Sequence, residues 1–251
     1  MADASLQVGS RWKAIAPVAL AVLLLQGCAS TPTGSAPVAQ DPYEGWNRSV
    51  FSFNESLDAN VIKPVATGYT YVVPAMARQG LTNFYNNFID LWSTVNSALQ
   101  GKLGNAGSDG LRVLTNTTVG ILGLFDVATD MGIKKYPEDF GQTLGAWGFG
   151  AGPYMVWPVL GASTMRDSFG LPLDLMATPG FLLIDDFGWR MAASSLQIVN
   201  TRANLLNVGD LLDDAVLDKY TFVRDAHLQR RLSLVNDGNV PESQPAPDAT
   251  P

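Results

Sequence analysis

One cysteine and one histidine in 251 residues are scarcities that remove several function classes. A lone cysteine excludes an internal disulfide, and with a lone histidine it leaves no Cys/His cluster of the kind a zinc site requires. Charge is also sparse: 16 Lys and Arg stand against 23 Asp and Glu, for a formal net charge of −7. That balance argues against nucleic acid as a partner and against simple adhesion to anionic headgroups. A Walker-type phosphate loop is absent, which removes the P-loop class of nucleotide-hydrolysing proteins. The nucleophile elbow Gly-x-Ser-x-Gly is absent too; the nearest run, Gly161-Ala162-Ser163-Thr164-Met165, lacks its last glycine. Long apolar runs are likewise missing, since residues 14–25 form a run of 12, short of the ~20 that span a bilayer as a helix.

What the N-terminus does hold is a secretory pattern. Arg11 and Lys13 precede the apolar run, and Leu25-Gln26-Gly27-Cys28 follows it, a cationic region, a hydrophobic region and a small-residue cleavage point in order. The motif ending at Cys28 matches a lipobox, which predicts cleavage after residue 27 and lipid attachment at Cys28. Residues 28–40 are small, polar or apolar and uncharged, as expected of a flexible tether. Residues 236–251 carry four prolines among acidic and polar residues and are expected to be a disordered tail. Residues 41–235 then form one domain with a sizeable core.

Within that domain the periodicity is helical. Asp41-Pro42-Tyr43-Glu44 has the form of a capping box, with Asp41 as N-cap and Pro42 in the first turn. Trp46, Val50, Phe53 and Leu57 follow on one face. Pro64 and Pro74 are expected to punctuate the chain and leave a short segment around Tyr69 to Val73. A longer helix carries Leu81, Phe84, Phe88, Leu91, Val95 and Leu99 up to a stop at Gly101. Residues 111–131 have little polar face and predict either a buried helix or a hairpin in apolar surroundings. Residues 139–160 interleave five glycines with Trp147, Phe149, Tyr154 and Trp157, which denies a regular helix and allows close backbone approach. Helical patterning returns at Met191, Leu196, Val199 and Leu206, and again from Asp210 to Leu234. Sustained period-two alternation is missing, so the expected fold class is all-α.

Several of these segments, taken in order, resemble the VacJ/MlaA family of lipoproteins: Asp41-Pro42-Tyr43-Glu44 through Asn47-Arg48, Phe53-Asn54 and Leu57-Asp58; Asn116-Thr117-Thr118-Val119-Gly120; Asp139-Phe140-Gly141-Gln142-Thr143-Leu144-Gly145 with Gly152-Pro153-Tyr154; Ser163 to Asp167; and Tyr220 to Arg231. The resemblance implies a single ring-like helical domain in the inner leaflet of the outer membrane, with an amphipathic channel that removes mislocalised phospholipid from the outer leaflet. It implies the periplasmic carrier MlaC and a trimeric porin as partners, no cofactor, and no chemistry on the lipid. Ala29, where an Asp would signal retention, resembles the pattern of lipoproteins sorted to the outer membrane facing the periplasm. The alternatives are a structural lipoprotein beside a porin and an exported lipid hydrolase.

The candidate site residues fall into two sets. Gly120, Gly123, Phe125, Asp126 and Gly132 are candidates for a channel or gating segment. Asn47, Arg48, Asn54 and Asp58 form a polar set along the first helix that either lines a headgroup path or ties helices together, with Glu44 in reach of Arg48 at four residues' separation. Asp210, Asp213, Asp214 and Asp218 read as helix-start acids rather than calcium ligands, because their spacing does not fit an EF-hand. Arg224, Arg230 and Arg231 are expected on a solvated face, and His227 in a solvated or hydrogen-bonded role rather than in catalysis.

Overall fold

The computed structural model describes residues 40–208 and 216–239; Cys28, Asp210, Asp213 and Asp214 lie outside them. Ten α-helices and one β-hairpin can be followed in the described residues.

Helix α1 (Glu44–Leu57) passes into a π-helical turn (Asp58–Ile62) and straight on into α2 (Lys63–Val72). Pro64 therefore does not break the chain as expected. It falls in the first turn of α2, where a missing N–H costs little, and the wider π turn just before it gives its ring room. The capping box is also corrected. Tyr43 occupies the N-cap position without a side-chain bond, whereas Asp41 is fully buried and accepts hydrogen bonds from Asn47, Tyr220 and Arg224. Three charged or polar donors compete for that carboxylate and outbid a single backbone amide.

After Pro74 comes the longest helix, α3 (Ala75–Leu99), which ends where Gly101 adopts φ 75°. It packs along α4 (Leu103–Thr118). A tight turn leads to α5 (Val127–Asp130), and an extended segment leads to α6 (Phe140–Ala146). The glycine-rich stretch thus contains a helix after all, N-capped by Asp139 through the Gln142 amide. Its glycines serve contact with α7 (Met165–Met176): a Cβ on Gly141 would lie 2.5 Å from Asp167 Oδ1, and one on Gly170 would lie 2.7 Å from the Gly141 nitrogen. Between these helices β1 (Tyr154–Trp157) and β2 (Gly161–Thr164) pair antiparallel, Tyr154 opposite Thr164. The fold is therefore mostly helical but not purely so; four-residue strands are too short to declare themselves by alternation. Helices α8 (Pro179–Leu183), α9 (Phe187–Asn204) and α10 (Lys219–Val235) complete the described residues.

The packing closes on itself. Helix α9 contacts α2, α3 and α8; α8 contacts α7; α7 contacts α6; and α6 returns to α3. A second link runs from α7 through β2 and β1 to α1, and so back to α2.

The apolar core is small. Val50, Tyr154, Val156 and Tyr220 are buried, with Trp46, Phe51, Ala162 and Leu228 packed against them. Phe53, expected on that face, is 53% exposed, and Phe51 takes its place edge-on to the Tyr220 ring at 5.6 Å. Elsewhere burial is inverted. On α3 the buried positions include Asn87, Asp90, Ser93, Asn96 and Ser97, while Ile89, Leu91, Val95 and Leu99 are exposed. On α4 Asp109, Arg112, Thr115 and Asn116 are buried and Leu103, Leu111 and Leu114 are exposed. Residues 111–131 are accordingly not a hydrophobic core: Val119, Ile121, Leu122, Leu124 and Phe125 all point outward. Met191 and Leu196 of α9, which carry its helical pattern, are exposed as well. No helix among the described residues is long and apolar enough to cross a membrane.

Candidate lipid site

The inverted region is organised around a buried guanidinium. Arg112 on α4 is 2% exposed. Its Nε donates to Asp90 at 3.0 Å, its two terminal nitrogens reach Asp126, Thr129 and the Ile133 carbonyl, and Lys135 pairs with the other Asp90 oxygen at 2.9 Å. A planar fork with five donors satisfies partners on α3, α5 and the following loop at once. Asp126 is held ionised, well below the usual carboxylate range, by Thr129, Asn116 and Arg112, which together outweigh its partial burial. Asp109 lies beside this network with the opposite tendency: burial pushes its carboxyl up to about 6.

This network fixes the turn that carries most of the candidate gating residues. Gly120 is buried, and a Cβ there would sit 2.2 Å from the Phe125 carbonyl oxygen. Gly123, at φ 87°, would place one 2.8 Å from the Asn87 side chain. The amides of Gly120, Leu122, Gly123 and Phe125 all donate within the turn or back to α4, and Asn83 donates to the Leu124 carbonyl. Ile121 and Leu122 hold φ 53° and 57°, a conformation that is strained for a β-branched residue. Phe125 is half exposed, Asp126 N-caps α5, and Gly132 follows that helix at φ 74° with open space around it.

Asn47, Arg48, Asn54 and Asp58 are each engaged between elements. Asn47 is fully buried, donates to Asp41 and to the Tyr154 carbonyl, and accepts from the Val156 amide, so that α1 continues the edge of β1. Asn54 spans the Trp157 carbonyl and the Val159 amide in the same way. Arg48 pairs with Glu44 at 2.7 Å and Asp218 at 2.9 Å and lies over the Tyr220 ring. Asp58 receives a fork from Arg202. Asp218 also N-caps α10.

The arginine cluster is corrected: only Arg230 is exposed. Arg224 is buried against Asp41 and Asp225, and Arg231 bridges Asp139 and Asp167, tying α10 to α6 and α7. His227 packs edge-on to Tyr154, and burial together with the nearby Arg231 disfavours its protonation.

Sequence reasoning did not find a cavity of about 300 Å³ enclosed by α3, α7, α8 and α9. Tyr85, Phe88, Ile89 and Trp92 of α3 line it, with Glu138 and Asp139, Asp174 of α7, Ala177 to Pro179, and Gln197 of α9. Asp174 Oδ1 accepts from the Trp92 indole at 2.7 Å and from the Phe140 amide at 2.9 Å, and burial raises its carboxyl above the usual range. One wall is aromatic and the other acidic, so the space can accept an amphipathic guest. The buried network around Arg112, by contrast, had a signal in the sequence, a polar stripe: Asn87, Asp90, Thr94 and Ser97 step by three and four along α3, as do Asp109, Arg112 and Asn116 along α4.

Comparison with known proteins gives these features a relative. The family model described as MlaA lipoprotein matches residues 39–233. The chain belongs to the MlaA lipoprotein family. It is 36% identical over 238 residues to the intermembrane phospholipid transport system lipoprotein MlaA of Escherichia coli (strain K12), covering 92% of each chain. Identity is 32% to the protein of the same name from Haemophilus influenzae, over 92% of this chain and 94% of that one. A solved chain from work on the structural basis for maintenance of bacterial outer membrane lipid asymmetry matches with a TM-score of 0.67 and 34% identity, covering 78% of this chain and 99% of that chain.

Proposed function

We propose that this chain is an outer-membrane lipoprotein, anchored by acyl groups on Cys28 and seated in the inner leaflet, through which mislocalised phospholipid leaves the outer leaflet for a periplasmic carrier. The observation that carries this reading is the inverted burial of α3, α4 and the turn after them: charges and amides inside, leucines and valines outside. Exposed apolar side chains gathered on neighbouring elements mark a contact surface, for a membrane or a partner. Against acyl chains such a surface is favoured, because helices satisfy their own backbone and buried side chains such as Arg112 and Asn116 pair with Asp90 or Asp126. The cavity between α3, α7, α8 and α9 is the best-lined candidate for the lipid path. Passage requires no bond to break, and the relatives' name is a transport name. MlaC is the carrier and a trimeric porin the neighbour that this reading adopts.

Movement at the passage would centre on the apolar turn from Gly120 to Gly132. Gly120 and Gly123 are packed against neighbouring atoms and Gly132 holds φ 74°, so substitutions at all three would disturb folding along with any motion.

The test compares outer-leaflet phospholipid in a deletion strain restored with the wild-type gene, with Cys28→Ala, or with nothing. Surface phospholipid that builds up in the deletion and clears only with the wild type supports anchored retrograde transport. An equal level in all strains would instead leave a structural role beside a porin, and free fatty acid or lysophospholipid appearing with the wild type would point to hydrolysis.

A further inference from the structure

The cavity described above has a chemical preference that its lining makes explicit. Three carboxylates, those of Glu138, Asp139 and Asp174, face it, and no lysine or arginine does. Two of the three are already matched: Glu138 by Lys102 and Gln100, and Asp139 by Arg231 and Gln142. Asp174 differs. Both of its donors, the Trp92 indole and the Phe140 amide, meet Oδ1. Among the described residues its other oxygen accepts no hydrogen bond and pairs with no cation. That oxygen is not among the buried unpartnered atoms; it is open to the cavity and available to a positively charged or strongly donating guest. Tyr85 and Phe88 also line the space, and aromatic rings attract a cation as well.

We infer that this cavity selects the ammonium-bearing headgroup of a zwitterionic aminophospholipid, such as phosphatidylethanolamine, over an anionic headgroup such as phosphatidylglycerol, with Asp174 as the specificity-determining residue. The ammonium sits between Asp174 Oδ2 and the aromatic wall, donating to the free oxygen, while the lipid as a whole brings no net charge toward Glu138 and Asp139. Both headgroups bring a phosphate, but the anionic lipid carries no ammonium to offset it beside these carboxylates. At about 300 Å³ the space holds a headgroup rather than acyl chains, so discrimination happens at the headgroup. Burial already makes the Asp174 carboxylate reluctant to stay charged, and an ammonium relieves that.

This inference rests on the proposed lipid passage. The test loads the full-length lipidated protein, extracted in mild detergent, from mixed micelles holding equal amounts of phosphatidylethanolamine and phosphatidylglycerol, and quantifies the lipid that stays bound. The wild type should retain phosphatidylethanolamine over phosphatidylglycerol by about fivefold, the scale of one close charge interaction in a partly hydrated site. Asp174→Asn keeps the Oδ1 acceptor for Trp92 and Phe140 while losing the charge, and should bring the ratio close to one. Gln197→Lys places a cation in the same cavity and should turn the preference toward phosphatidylglycerol, which serves as the test should the Asp174 variant fold poorly. A wild type that takes both lipids equally overturns the headgroup inference and leaves the passage standing. Retained selectivity in either variant also overturns it, and a wild type that binds neither lipid removes the passage reading as well.

Discussion

The region where α1, the β-hairpin and α10 meet and the region built by α3, α4 and the turn after them come from one chain of even composition, yet they solve opposite problems. The first buries Tyr154, Val156, Tyr220 and Val50 and uses Asn47 and Asn54 to extend hydrogen bonding between helix and strand. It is a small aqueous-type core with polar ties. The second buries Asp90, Arg112, Asn96 and Asp109 and turns its leucines out. Residue type alone does not decide what is inside; the medium against which each face is stabilised decides it. Where apolar surface meets hydrocarbon, helix association loses its hydrophobic drive, and the interior is held by hydrogen bonds and ion pairs instead.

The largest expected difference between the regions follows from that. Arg112→Met leaves Asp90 and Asp126 without their shared partner, and breaking a buried pair from one side costs about 3–5 kcal/mol. We expect loss of the folded protein, read as collapse of the detergent-solubilised yield and of the thermal transition. Asn47→Leu in the aqueous-type region strands the Val156 amide and the Tyr154 carbonyl, and should cost roughly 2–3 kcal/mol by denaturant unfolding. An equal loss from both variants would erase the distinction between a charge-held and a core-held region.

A smaller effect is expected at Asp109. Its carboxyl is raised to about 6 in the folded protein, against about 3.9 unfolded, so the native state binds more protons between those values. Stability from this group is then present at pH 5 and declines as pH rises toward 7. Asp109→Asn preserves the acceptor that Tyr136 uses and should raise stability at pH 7.5 by roughly 1–2 kcal/mol, discounted for hydration, while flattening the slope between pH 5 and 7. Denaturation midpoints at the two pH values check this; a variant with an unchanged slope would contradict it. The smallest effect on folding belongs to the outward leucines. Leu111→Ser with Leu114→Ser should leave the unfolding free energy in detergent within about 0.5 kcal/mol of the wild type. It should nevertheless weaken flotation of the unlipidated Cys28→Ala chain with vesicles, and unchanged flotation would count against bilayer contact at α4.

Much of this was legible in the sequence, for identifiable reasons. The long periodic helix α3, the stop at Gly101 and the pair Glu44 with Arg48 are local, and local chemistry is written locally. The family resemblance rested on ordered segments that the comparisons match from residue 39 to 233. What escaped was direction. Leu91, Val95 and Leu99 mark a helix face but not which side of it is wet, so the polar stripe of Asp90, Ser93 and Ser97 was available and unread. Asp41 looked like a cap because its competitors, Tyr220 and Arg224, lie far away in sequence. Arg231 looked solvated for the same reason, its partners Asp139 and Asp167 being on other helices. The helix at Phe140–Ala146 was hidden by Gly141 and Gly145, residues that weaken an isolated helix but let α6 approach α7 closely. Asp174 and Trp92 carry no motif at all; only the fold brings them together.

The account turns on whether the outward face of α3 and α4 meets lipid. Because the proposed acylation would occupy Cys28, a single cysteine introduced at Leu114 can be spin-labelled in outer-membrane vesicles and compared with one at the exposed, charged Arg230. The account predicts that the Leu114 label relaxes with oxygen and is shielded from a water-soluble nickel chelate, while the Arg230 label does the reverse. Ready access of the chelate to Leu114 would place that face in water and contradict the proposed seat in the membrane.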